Sequence, residues 1–123
     1  MKVREKAFEC LCEIILNEQY SNLLLRKEIN DFEDQDKRLI TNIVYGTMQN
    51  YIYVRYLWEN YVEKSIAKDM AILMDMSIYQ MVFMDKIPTY AIVNEAVEIE
   101  KTFDDPDNSA FVNGVLGAFV KKL

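Results

Sequence analysis

The side chains that most often carry out catalysis are scarce in this sequence. Histidine is absent, which excludes a Ser-His-Asp triad, a histidine-ligated zinc ion and an HExxH metal site. Cys10 and Cys12 are one residue apart, so they cannot form a CxxC redox pair, and on a helix they point to different faces. We interpret both as small core residues of a protein kept in a reducing cytoplasm.

Two acidic clusters, at 31–36 and 104–107, are the remaining candidates for metal binding. The first lacks the ordered alternation and distal Glu of a calcium loop, because Asp36 stands where that motif needs glycine. We predict that both clusters are solvated loops whose acids cap helices. No glycine-rich loop follows a strand, so nothing indicates a phosphate or dinucleotide cradle. We therefore expect no catalytic residue, no metal and no cofactor on this chain.

Basic side chains near the two ends of the chain offer a different chemistry, the binding of phosphate groups. These residues are Lys2, Arg4, Lys6, Lys121 and Lys122. On a helix Lys2 and Lys6 share one face, with Arg4 roughly opposite. The net charge of −6 argues against a general polyanion binder but leaves room for a local basic patch.

Asparagine side chains at two positions have two open interpretations. Asn94 is followed by Glu95 near the start of a predicted helix, and Asn113 lies inside another helix, although asparagine is a poor interior helix former. These side chains either form structural hydrogen bonds between helices or belong to a recognition surface.

The elements that must position these groups are predicted to be helices within one domain, residues 1–123. Hydrophobic residues make up 51% of the 123 residues, which is typical of a folded domain, and only three Gly and two Pro are present. The N-terminal segment lacks the apolar core of a signal peptide, and no apolar run approaches the roughly 18 residues of a membrane span. We therefore expect a soluble, cytoplasmic, all-α protein.

Apolar residues recur at spacings of three and four almost throughout, which predicts about seven helices and no strand. The strongest pattern, from Ile66 to Phe83, is apolar almost all round and predicts a buried central helix. The segment 51–64 fits a strand or a helix; we favour a helix because Tyr53 and Tyr56 fit helical spacing. Loops are expected at 30–36 and 104–108.

Three glycines lie inside predicted helices, where glycine costs about 1 kcal/mol relative to alanine. Gly46 is therefore expected to permit a close backbone approach. Gly114 and Gly117 are expected to let another helix approach.

Three blocks of sequence together resemble the NusB-type helical domain. They are YSNLLL (20–25) with IVYGTMQN (43–50), then SIYQMVFMDKIPTYAIVNEAVEIEK (77–101), then FVNGVLGAFVKKL (111–123). Their order and spacing are most similar to the version found at the N-terminus of bacterial ribosomal RNA cytosine-5 methyltransferases of the RsmB (Sun/Fmu) type. The resemblance covers essentially the whole chain.

The resemblance implies a NusB-like fold of two small antiparallel helical bundles and a non-catalytic, RNA-binding accessory role that helps engage 16S ribosomal RNA. The implied partners are RNA and a covalently linked methyltransferase domain. The catalytic half is absent, because the sequence has no Pro-Cys dipeptide and no S-adenosylmethionine loop. Candidate RNA contacts are Lys2, Arg4, Lys6, Asn113, Lys121 and Lys122.

Two other functions remain open. One is a free-standing NusB-like transcription antitermination factor that binds RNA and a ribosomal protein, for which an acidic surface suits a basic partner. The other is a domain that only docks onto its own catalytic domain, through the tyrosine-rich segment 51–61.

The sequence also departs from the resembled pattern at positions that carry positive charge in relatives. Gly117 replaces an Arg, Gln49 and Asn50 replace a base after the VYG motif, and the N-terminal segment holds fewer Arg. If these cations bind phosphate in relatives, each replacement lowers the salt slope of RNA binding by about one unit.

Overall fold

Seven α-helices joined by short links make up the described part of the chain, residues 2–103 and 108–123 of a computed structural model. The helices are α1 (Lys2–Leu16), α2 (Ser21–Glu28), α3 (Asp34–Gln49), α4 (Tyr51–Glu59), α5 (Lys68–Phe83), α6 (Thr89–Phe103) and α7 (Ser109–Lys121). These two ranges contain no strand, which confirms the predicted all-α class. The predicted acidic loop at 104–107 lies outside the described residues. No helix in the described ranges has the length and hydropathy needed to cross a membrane.

Helix α5 occupies the centre of the domain, as predicted from its apolar pattern. It packs against α1, α3, α4, α6 and α7, and every residue from Met70 to Met81 is buried. On one side α1 also packs against α2 and α3, while α6 and α7 pack together on the other. The predicted arrangement of two small helical bundles is confirmed, with α5 shared by both.

Polar side chains within α5 are buried but have hydrogen-bond partners. Asp75 accepts from Arg55 and Trp58 of α4, while the Ser77 hydroxyl donates to the Leu73 carbonyl at 2.8 Å. Gln80 accepts from a side chain of α1. Because buried polar groups are costly when unpaired, these contacts fix α1 and α4 against the central helix.

Two local expectations differ from the structure. Helix α3 begins at Asp34, inside the segment predicted as a loop, because carboxylates in the first turn favour the positive end of the helix dipole. The helix favoured for 51–64 is present but ends at Glu59, and its buried residues are Val54 and Trp58, whereas Tyr53 and Tyr56 are exposed. The large apolar surface of tryptophan decided which face of α4 turns inward.

The three glycines differ in the space that a Cβ atom would find at each position. Gly46 permits a close approach, but its neighbour is the ring of Tyr79 rather than backbone. Gly114 and Gly117 have open space around the position of a Cβ atom, so the expectation that they admit another helix is wrong within the described residues.

Candidate nucleic-acid interface

Two of the predicted N-terminal contacts are engaged inside the domain. Arg4 donates through Nε to Gln80 Oε1 at 2.7 Å and through Nη1 to Glu95 Oε2 at 2.5 Å. Lys6 donates to carboxylates of Glu9 and Glu28 at 3.1 and 3.2 Å. The positive charge of both side chains is thus compensated locally, and Arg4 ties the start of α1 to α5 and α6.

The pKa of Lys6 is set by two opposing effects, its partial burial and its hydrogen bonds. Burial alone lowers the pKa of the Lys6 ammonium, but the hydrogen bonds to Glu9 and Glu28 raise the pKa above its usual value. Lys6 therefore stays charged at neutral pH, within a local arrangement of two acids and one base.

Three of the predicted contacts are free cations. Lys2 at the start of α1, Lys121 at the end of α7 and Lys122 beyond it are all exposed. None of them forms an ion pair with the residues in the described ranges. Exposed ammonium groups of this kind bind phosphate without first losing an internal partner.

The two asparagines lie on the same groove between α6 and α7. The groove has a volume of about 480 Å³ and is lined by Asn94, Lys101 and Asn113, among others. Both asparagine side chains are exposed, and neither forms a hydrogen bond within the described ranges. Of the two open interpretations, the geometry favours a recognition surface, because amide groups left free at a surface can donate to and accept from a ligand.

The thiols of the chain are not activated for nucleophilic chemistry. Burial raises the pKa of Cys10 to about 11 and that of Cys12 to about 12. Both are therefore neutral thiols near pH 7. No group of three acids or thiols in the described ranges is arranged to hold a metal ion. The arrangement presents cations and amides at the surface, which is the chemistry of binding.

The sequence profile of the NusB family matches residues 1–121. The chain belongs to the NusB family. The resemblance first seen in the three sequence blocks is thereby confirmed, and it extends over nearly the whole chain.

The curated relatives of this NusB-family chain include a methyltransferase and an antitermination protein. It is 41% identical over 118 residues to a probable ribosomal RNA small subunit methyltransferase B of Bacillus subtilis, covering 93% of this chain and 26% of that protein. It is 36% identical to the transcription antitermination protein NusB of Clostridium novyi, covering 98% of this chain and 96% of that protein. The chain thus spans about a quarter of the methyltransferase but nearly all of the antitermination protein.

The fold of the NusB-family chain matches a solved relative. The structure of T. maritima NusB aligns with a TM-score of 0.87 at 21% identity, covering 98% of this chain and 89% of that one. This similarity supports the seven-helix fold.

One polar feature of this NusB-family domain was missed by sequence reasoning. Arg55 and Asp75 form an ion pair at 2.6 Å beside a cleft that is also lined by Thr47 and Lys68. A signal was present, because Asp75 is a charged residue in the middle of an otherwise apolar helix. Such a residue requires a partner when buried, but the sequence did not show which one.

Proposed function

We propose that residues 1–123 act as one RNA-binding accessory domain that helps a ribosomal RNA cytosine-5 methyltransferase engage its RNA. The observation that carries this proposal is the 41% identity to the B. subtilis methyltransferase, which exceeds the 36% identity to the C. novyi antitermination protein. The proposed partners are small-subunit ribosomal RNA and a linked methyltransferase domain, and the proposed location is the cytoplasm.

The proposed RNA contacts are led by the free cations Lys2, Lys121 and Lys122. Asn113 supplies an amide from the groove between α6 and α7. Phosphate contacts supply most of the affinity of such proteins, whereas amides contribute hydrogen bonds to bases. The other two candidates, Arg4 and Lys6, contribute by exchanging an internal carboxylate for a phosphate, which gains less because an existing ion pair must break.

A salt titration of RNA binding tests the assignment. The variant that replaces Lys2, Lys121 and Lys122 with Ala is titrated with small-subunit ribosomal RNA between 50 and 200 mM salt, next to the unaltered chain. Each phosphate contact in single-stranded RNA contributes about 0.7 to the salt slope, so the slope is expected to fall by roughly two units.

A matched control removes the same number of charges elsewhere. Arg26, Arg38 and Lys86 are exposed cations outside the proposed contacts, and their replacement with Ala leaves the slope nearly unchanged if the surface is assigned correctly. Equal losses in both triple variants would mean that binding follows net charge alone, and the proposed surface would be wrong.

A second function is favoured by a different observation. The chain covers 96% of the length of the C. novyi antitermination protein, and its net charge of −6 suits a basic partner. In this function the domain is a free-standing NusB-like antitermination factor that binds RNA together with a ribosomal protein. Affinity capture from lysate distinguishes the two, because a ribosomal protein that remains bound after nuclease treatment supports the second function.

A further inference from the structure

A second cleft lies where the C-terminal end of α1 meets α3, α4 and the first turns of α5. Its volume is about 460 Å³. Its walls are largely apolar and include Ile15, Met48, Ala71 and Ile72. Small-molecule sites commonly occupy roughly 300–1,000 Å³, with apolar walls and a few well-placed polar groups. The cleft therefore has the size and lining of a ligand site.

A buried hydroxyl without a partner belongs to the lining of this cleft. Thr47 of α3 is 1% exposed, and its Oγ1 atom accepts and donates no hydrogen bond in the described part of the chain. Buried polar atoms are nearly always paired in folded proteins, so a solitary one calls for an explanation. The Thr47 hydroxyl is thus a polar group in the wall of the cleft that the described residues leave unpaired.

The mouth of the cleft favours negative charge. Lys68 is exposed, forms no ion pair with the described residues, and is the first residue of the 16-residue helix α5. The N-cap residue Ala67 offers no side-chain hydrogen bond to the first turn, where only the Met70 N–H is taken up by the Asp69 carboxylate. The ammonium group and the positive end of the helix dipole thus meet at one place.

Arg55 adds hydrogen-bond donors at the cleft, although its charge is balanced by a carboxylate. Its Nε and Nη2 atoms donate to Asp75 at 3.0 and 2.6 Å, and the Trp58 Nε1 atom donates to the same carboxylate at 2.7 Å. The charges of Arg55 and Asp75 therefore balance each other, and the net positive charge at the mouth comes from Lys68. The Nη1 atom of Arg55 forms no hydrogen bond within the described ranges, so its N–H groups remain to be used.

A larger cleft, lined by residues of α1 and α2, provides a contrast. It has a volume of about 640 Å³ and is bordered by four carboxylates, Glu9, Glu13, Glu28 and Asp69, against one cation, Lys27. An anionic ligand is repelled there. Of the two clefts, only the one at Thr47 combines an apolar interior with net positive charge at the mouth.

We propose that the Thr47 cleft binds a nucleotide unit, an aromatic base that carries a phosphate. The base lies between the apolar walls, beside the half-exposed ring of Tyr51, and hydrogen-bonds to the Thr47 hydroxyl. The phosphate lies at the mouth, where it meets Lys68 and Arg55. This inference rests on the proposed RNA-binding function, since unpaired RNA bases are commonly held on aromatic side chains.

The fluorescence of Trp58 provides a direct readout. Trp58 is the only tryptophan in the sequence, and its indole bonds to the Asp75 carboxylate that lines the cleft. The whole chain is titrated with AMP, with adenosine and with inorganic phosphate. We expect AMP to change the Trp58 emission with a Kd of about 1 mM, and adenosine and phosphate each to bind at least tenfold more weakly, because each lacks half of the contacts.

Two variants test the named groups. Thr47→Val removes the hydroxyl but keeps the shape, and Lys68→Gln removes the ammonium from an exposed position where folding is not at risk. Each is expected to weaken AMP binding about three- to tenfold. Lys86→Gln, which removes an exposed charge in the link before α6, is the matched control and leaves AMP binding unchanged.

Further titrations identify the source of the nucleotide and can overturn the proposal. If the unit belongs to RNA, a single-stranded oligoribonucleotide competes with AMP and is weakened to the same degree by Lys68→Gln; if it is a free nucleotide, the oligonucleotide does not compete. Benzoate binding as tightly as AMP, or AMP binding unaffected by Lys68→Gln, would overturn the nucleotide assignment.

The salt titration above separates failure of this proposal from failure of the proposed function. RNA binding that depends on Lys2, Lys121 and Lys122, without any AMP effect on Trp58, refutes the cleft alone. AMP binding in the cleft without any RNA binding supports the cleft as a free-nucleotide site and refutes the RNA-binding function.

Discussion

Replacing Gly46 with Ala has two opposing effects on the free energy of unfolding. The helix propensity improves, but the new methyl group overlaps a neighbouring side chain. Gly46 lies inside α3, where alanine is preferred by about 1 kcal/mol. A Cβ atom at this position, however, overlaps the Oη and Cζ atoms of Tyr79 and lies 2.7 Å from its Cε1. The aromatic ring must move if the substitution is to be accommodated.

The ring of Tyr79 is held on several sides. Its hydroxyl donates to Asn42 Oδ1 at 2.6 Å, the ring stacks on Phe83 with centroids 5.2 Å apart, and the residue is 7% exposed. Overpacking costs about 1–3 kcal/mol, loss of the hydrogen bond about 1 kcal/mol and loss of the stacking about 0.5–1.5 kcal/mol. After the gain in helix propensity, we expect Gly46→Ala to lower the free energy of unfolding by about 3 kcal/mol.

Urea unfolding followed by Trp58 emission measures this effect. With a urea dependence of about 2 kcal/mol per molar, the midpoint is expected to fall by about 1.5 M. Gly114→Ala and Gly117→Ala are matched controls, since both lie in α7 with open space at the Cβ position, and each should raise stability by about 0.5–1 kcal/mol. In a chain that already carries Tyr79→Leu, the cost of Gly46→Ala should shrink. A Gly46→Ala protein as stable as the unaltered chain would refute the reasoning.

Four further predictions rest on the contacts or the burial of other side chains. Arg4→Ala removes the side chain that donates to Gln80, which is 1% exposed. The free energy of unfolding measured in urea should fall by about 1–3 kcal/mol. An unchanged midpoint would show that the contact is not formed in solution. Asp75→Asn removes the negative charge that accepts the hydrogen bond of Trp58. It should lower the free energy of unfolding by about 2 kcal/mol and shift the Trp58 emission. The exposed control Asp85→Asn should change neither. Burial raises the pKa of Cys10 from 9.0 to about 11, so iodoacetamide at pH 8 should modify Cys10 about 100-fold more slowly in the folded chain than in urea. Because the pKa of Cys10 is higher in the folded chain than in the unfolded chain, the protonated thiol stabilises the fold below pH 9. This contribution is lost as the pH rises from 9 towards 11. Unfolding curves measured at alkaline pH should show the loss. Equal modification rates in the folded and unfolded chain would contradict the burial of that thiol.

The sequence by itself determined the helices, the central position of α5 and the family. These follow from local information, because a period of 3.6 residues shows which face of each helix is apolar, and a helix apolar all round must be buried. Motif blocks such as IVYGTMQN, at 43–50, add the family without any knowledge of packing.

Only the tertiary structure decided which side chains are available for binding. Arg4 donates to Gln80 and Glu95, which are 76 and 91 residues away in sequence. No local sequence pattern therefore shows that the charge of Arg4 is paired inside the domain while that of Lys2 is free. The same holds for the cleft at Thr47, whose walls come from four helices. The periodicity of apolar residues indicates which face of each helix is buried. The pairing of polar groups across helices depends instead on how those faces meet in space.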